Sequence, residues 1–223
     1  ATGWNQPPPP GRRDLRPGRV MRRLATVDVP ALLDALERDA DPEPLGEWLD
    51  FHLEDTEELC GHAPTAEEVR SALGETTTEM AVERWLLAWE RRHCPGSGEG
   101  GPAPYLNWFD PGGEIKLLLL PRPEPWSAAV YVGHFGGDWP DSDLRPALVR
   151  HWSELYGAEP VANWDTMQQF VVRRPPGTLD QAWEVARAQA LLWYDTVALP
   201  GQSVRQFARD LVGRERWFLH LRP

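Results

Sequence analysis

Apolar residues recur at helical spacing between residues 28 and 94, then give way after residue 104 to shorter runs bounded by proline and glycine. The spacing predicts four helices in the first stretch. Asp28 with Pro30 opens one, carrying Leu32, Leu33 and Leu36. Leu45, Trp48, Leu49 and Leu53, at i, i+3, i+4 and i+8, mark a second near 45–59. Thr65 and Glu68 in TAEEVRSAL form a capping-box pattern, where a hydroxyl and a carboxylate satisfy the amides of a helix start. Met80, Val82, Trp85, Leu86 and Trp89 define a fourth near 78–92. The acids in these helices read as a solvated face.

PGSGEGGPAP, residues 95–104, is a linker by composition. Beyond it, YLNWF and EIKLLLLP read as extended segments, and WSAAVYVGHF reads as a strand. DSDLRPALVRHWSELYG reads as a helix capped by Asp143, with an apolar stripe of Leu144, Leu148, Trp152 and Leu155. Gly157 supplies the left-handed residue that ends it. Strands follow at 158–164 and 167–172, stopped by Pro175-Pro176. Thr178 and Ser203 cap two more helices, and RERWFLHL closes the chain as a strand. With EIKLLLLP and WSAAVYVGHF as the first pair, the order is β-β-α-β-β-α-α-β. The expected class is α+β: a helical N-terminal portion, then a mixed sheet packed by helices. The expected division is a flexible Pro/Arg-rich arm (1–24), a helical region (25–94), the linker (95–104) and an α+β domain (105–223).

Charge and composition narrow the functions. The net charge of −11 argues against a nucleic-acid binder, whose affinity comes from neutralising phosphates, and suits a basic protein partner. Six arginines against one acid make residues 1–24 basic, so the rest of the chain is more acidic than the total. Twelve tryptophans offer large apolar surfaces for a core or an interface. The longest aliphatic run, Leu117–Leu120, is far too short to span a membrane, and the first residues lack the apolar core of a signal peptide. Two cysteines, Cys60 and Cys94, are too few for a disulfide framework and read as free thiols. A cytoplasmic location is expected.

The C-terminal residues also resemble a family. Pro125-Trp126, then HWSELYGAEPVANWDTMQQFVVRRPPGTLDQAWEVA, then GRERWFLHL follow the order of motifs in the bacterial family known as domain of unknown function 4253. The resemblance covers about the last hundred residues. It implies a fold and a bacterial setting, and no established reaction. Where the family typically has Cys-Pro-Asp, this sequence has Trp193-Tyr194-Asp195, and it ends Leu219–Pro223 in place of a Trp-Trp-Asp.

Motifs for a serine hydrolase, a P-loop NTPase or a zincin are absent from the sequence, and no GxGxxG is followed by a helix pattern. Cys60-x-His62 and His93-Cys94 carry zinc-ligating side chains, but the spacing is poor and the helices would have to bring residue 60 beside residue 94. No metal, cofactor or catalytic residue is therefore assigned. GHFGGDWPDSD gathers His134, Asp138, Trp139 and Asp141 in a glycine-rich loop. With Trp164 these form the expected binding site, an aromatic anchor among carboxylates. Trp126 and Trp193 are further aromatic candidates. The expected function is an acidic protein-binding module of the immunity or antitoxin kind, with a basic protein as partner. Two alternatives stand beside it: an enzyme using the His134/Asp138/Asp141 loop, and an adaptor subunit of a larger complex.

Overall fold

A threonine three residues ahead of a glutamate fixes the start of one helix through local bonds alone. In the structure, a computed structural model that describes residues 16–96, 115–132, 143–164 and 166–221, Thr65 Oγ1 accepts from the Glu68 amide at 3.2 Å, and the Thr65 amide donates back to Glu68 Oε2 at 2.7 Å. The chain is α+β. Contacts divide it into two units, one built from 33–105 with 176–213, the other from residues up to 32, 106–175 and 214–223. The grouping thus crosses the expected cut at 95–104.

In the first of these units, α3 (Glu47–Cys60), α4 (Ala66–Leu73) and α5 (Glu79–His93) enclose Leu45, Leu49, Val69, Val82 and Leu86. A short antiparallel pair, β1 (Glu43–Pro44) with β2 (Thr76–Thr77), closes one end. The later stretch adds α8 (Leu179–Leu192), α9 (Asp195–Ala198) and α10 (Val204–Leu211), with α10 packed on both α8 and α5. Thr178 and Ser203 cap α8 and α10 by accepting from the Gln181 and Gln206 amides, as their spacing predicts. Cys60, ending α3, is joined to Cys94, just past α5, by a disulfide with Cα atoms 5.5 Å apart. This corrects the reading of free thiols. The two positions are local only in space, so their distance in sequence hid them. The argument for a reducing compartment loses that support.

The other unit carries a three-stranded sheet in the order β3 (Ala158–Trp164), β4 (Met167–Val172), β5 (Arg216–His220). Both pairings are antiparallel, so the sheet is not mixed. α7 (Leu144–Tyr156) lies over it, with Trp152 edge-on to Trp217 at 5.5 Å and to Phe170 at 6.4 Å. Leu148 and Trp152 are buried as the stripe predicts, while Leu155 is exposed. Gly157 ends α7 at φ 60°, and an added Cβ would sit 3.2 Å from that of Arg173.

Among the described residues, the expected first strand pair does not form. Residues 115–120 are irregular, with Ile115, Leu117, Leu118 and Leu119 exposed. WSAAVYV is helical, a 3₁₀ turn at Pro125–Ser127 running into α6 (Ala128–Tyr131). A short apolar run does not distinguish strand from helix, and here Pro125 in the first turn and the Ala pair favour helix. The expected arm is also partly ordered: α1 (Pro17–Leu24) is helical, and its Arg23 donates two hydrogen bonds to Asp143 at 2.6 and 2.9 Å. Asp143 precedes α7 but makes no side-chain cap, because that carboxylate faces Arg23. α2 (Val29–Arg38) begins where Asp28 accepts from the Ala31 amide, and it buries Leu33 while Leu32 stays exposed.

Candidate binding cavity

The acids read as a solvated face include two that are not solvated. Glu83 and Glu90 are seven residues apart on α5, on the side that carries Val82 and Leu86, and both are buried. Facing them, α10 presents Arg205 and Arg209, four residues apart and also buried. Arg205 donates to Glu83 Oε2 at 2.6 Å, Glu90 Oε1 at 2.8 Å and Asp55 Oδ2 at 3.0 Å, and to the His52 carbonyl and Thr56 hydroxyl. Arg209 bonds the second oxygen of Glu90. Burial by itself pulls the Arg205 pKa down, and is the largest single effect; Glu83, Glu90 and Asp55 together outweigh it and hold the guanidinium charged.

Glu83 has a second task. Its oxygens accept from the Val204 and Arg205 amides at 2.9 and 3.2 Å, so a side chain of α5 caps the start of α10. Ser203 Oγ, which caps the same helix from within, donates to Asp55 at 2.5 Å. His52 closes the network from α3. Its Nδ1 lies 3.3 Å from Glu83 and its Nε2 lies 3.2 Å from Glu79, without the geometry of hydrogen bonds.

Above this floor, bounded by α3, α5, α8 and α9, is a cavity of about 540 Å³, within the range of small-ligand sites. Trp48, Phe51, Met80 and Leu191 supply apolar wall, and Tyr194 stands among them. Glu37, Asp41, Glu43, Glu79 and Glu83 line the same space. Glu37 and Glu83 are neutralised by arginines, whereas among the described residues Asp41 and Glu43 have no ion-pair partner. The Tyr194 hydroxyl is pushed above its ordinary pKa by burial first, then by Glu79 and Asp195, so it remains a proton donor. The cavity is therefore lined by carboxylates and aromatic rings and underlain by the ion-pair network. Such a site favours a cation that can lie against an aromatic face.

Metal-ligating side chains also meet here. Ligand atoms of His52, Glu79 and Glu83 lie within 4.8 Å of one another. Glu83, however, already serves Arg205 and the amides of α10, so the trio reads as part of the ion-pair floor.

Of the site expected from sequence, His134, Asp138, Trp139 and Asp141 lie outside the described residues. Trp164 is half-buried at the end of β3, in register with Met167. Trp126 is half-buried with the Arg150 guanidinium 5.6 Å from its ring centre, and Trp193 is core. Sequence reasoning missed His52, Glu83, Glu90, Arg205 and Arg209. The available signal was an acid pair at i, i+7 on an apolar helix face, matched by an arginine pair at i, i+4 on another.

An α+β chain with a braced acidic cavity belongs to no reaction class by its geometry alone. Residues 116–220 match the family described as Domain of unknown function (DUF4253), in agreement with the resemblance drawn from the motifs. No curated protein and no solved structure matches the chain. The matched segment includes α8–α10, and with them Arg205 and Tyr194; α3 and α5, which complete the cavity, precede it. No helix among the described residues is long and apolar enough to cross a membrane.

Proposed function

We propose that the protein is a binding module whose cavity receives a cationic group, such as an arginine side chain, presented by a basic protein partner. The observation that carries this reading is the meeting, around one cavity, of the aromatic Trp48 and Phe51 with Asp41 and Glu43, carboxylates that have no ion-pair partner among the described residues. A guanidinium can place its plane on an aromatic ring while its N–H groups reach carboxylates, and the Tyr194 hydroxyl offers one more polar contact. The floor, occupied by Arg205, Glu83 and Glu90, is already satisfied and acts as a support. The overall charge of −11 draws a basic partner toward the molecule and makes association sensitive to salt. An immunity- or antitoxin-like role in the cytoplasm is the setting we attach to this chemistry.

The test is titration calorimetry with short arginine-containing peptides and their citrulline counterparts. The charged peptide should bind, the neutral one should bind at least tenfold more weakly (about 1.4 kcal/mol), and Asp41→Asn with Glu43→Gln should reproduce that loss at unchanged melting temperature. Equal binding of both peptides, or none, would remove the cavity from consideration as a cation site.

A further inference from the structure

At the ends of α3 and α5, the disulfide and the Trp89 ring bring Cys60, His62, His93 and Cys94, all of metal-ligating type, into one neighbourhood. The disulfide holds Cys60 beside Cys94. His62 and His93, their near neighbours in the chain, face each other with ring centres 6.3 Å apart, and both rings rest on Trp89, His93 stacked at 4.1 Å and His62 edge-on at 5.2 Å. The objection raised by the sequence, that two helices would have to bring residue 60 to residue 94, is answered by the disulfide itself.

Backbone carbonyls also orient the two imidazoles. His62 Nδ1 lies 3.1 Å from the Cys60 carbonyl, and His93 Nδ1 lies 2.8 Å from the Trp89 carbonyl. A carbonyl oxygen only accepts, so Nδ1 must carry the hydrogen in each ring. Nε2 is then the nitrogen through which each neutral ring can bind a metal. A backbone carbonyl on Nδ1–H with Nε2 free is the arrangement by which proteins orient histidine toward a metal.

We propose that Cys60, His62, His93 and Cys94 form a redox-gated zinc site: a disulfide in the oxidised chain, and a tetrahedral S₂N₂ site for Zn²⁺ once the disulfide is reduced. A dithiol reductant supplies two electrons and two protons. The S–S bond breaks, Cys60 and Cys94 become thiols, and the reductant becomes a disulfide. Metal binding then releases the two thiol protons, and two thiolates with two neutral imidazoles balance the charge of Zn²⁺. With Zn–S bonds of about 2.3 Å, the sulfurs of a tetrahedral site stand ~3.8 Å apart. From the ~2.05 Å of a disulfide, side-chain rotation at the two helix ends provides that separation.

The experiment uses the full chain, reduced under anaerobic conditions and titrated with Co²⁺ as a spectroscopic substitute, then with Zn²⁺. One equivalent of Co²⁺ should give thiolate-to-metal charge transfer and the intense visible bands of tetrahedral coordination, which one equivalent of Zn²⁺ erases. The oxidised chain should give neither. X-ray absorption of the Zn²⁺-loaded native chain should report two sulfur and two nitrogen neighbours, a readout that needs no variant to fold. His62→Ala and His93→Ala should each weaken Zn²⁺ binding at least tenfold, with helix content checked by circular dichroism. Reduced protein without the thiolate band would overturn the site. A coordination shell lacking nitrogen, or histidine variants that bind like the native chain, would overturn the assignment of the imidazoles.

Discussion

Arg205 shows how much of this molecule depends on a single side chain. Its guanidinium is fully buried, and three carboxylates plus two oxygens from α3 surround it. Removing one member of such a network strands the others in a low dielectric, which costs more than the net worth of the intact pair. Arg205→Met should lower stability by about 3–5 kcal/mol in chemical denaturation. Adding Glu83→Gln should recover part of that loss, because Glu83 is the buried carboxylate left without an arginine, whereas Glu90 keeps Arg209. If the double variant is no better than the single one, packing and not charge is the cause. Neither residue was legible as a partner of the other in the sequence, since 122 positions separate them. What was legible was an acid on an apolar face, which the spacing showed but the reading assigned to solvent.

Helix starts were the most readable elements, because their determinants lie within a turn. Thr65, Thr178 and Ser203 each accept from the amide three residues on. Asp143 failed the same rule because a distant arginine competed for its carboxylate. Residues 115–131 failed for a different reason: a strand needs a partner, and nothing local in EIKLLLLP or WSAAVYV specifies one. Thr65→Ala should cost about 1 kcal/mol, measured by thermal unfolding. The Glu68 carboxyl is held below its ordinary range by the Thr65 amide first and the Thr65 hydroxyl second. A lowered folded pKa means that its stabilisation is complete above the unfolded value and is lost as pH falls through the folded one. The cap should therefore survive mild acid, and the acid-dependent part of unfolding assigned to it should vanish in Glu68→Gln, which has no carboxyl to titrate. A Glu68→Gln chain with an unchanged pH profile would show that the acid dependence comes from another group.

At the scale of the whole molecule, the α+β class could be read from the sequence, and so could three of the strands. The cavity could not, because its walls come from stretches on either side of more than eighty intervening residues. The disulfide was hidden by the same kind of distance, and its closed loop of 34 residues gives its loss a size. Cys60→Ser with Cys94→Ser should destabilise the oxidised chain by about 3–4 kcal/mol by loop-closure entropy, with little change when the comparison is repeated under a reductant. The clasp between α5 and α10 has a further consequence, for where the polypeptide can be divided. Glu83 starts α10 from another stretch of chain, so residues 116–220 expressed alone would carry Arg205 and Arg209 with no carboxylate from α3 or α5 to receive them. Supplied in trans, residues 25–100 would provide those carboxylates, and the two fragments should rescue each other's solubility on co-expression. The unit would then behave as a split protein, whose reassembly reports directly on the fit between its halves.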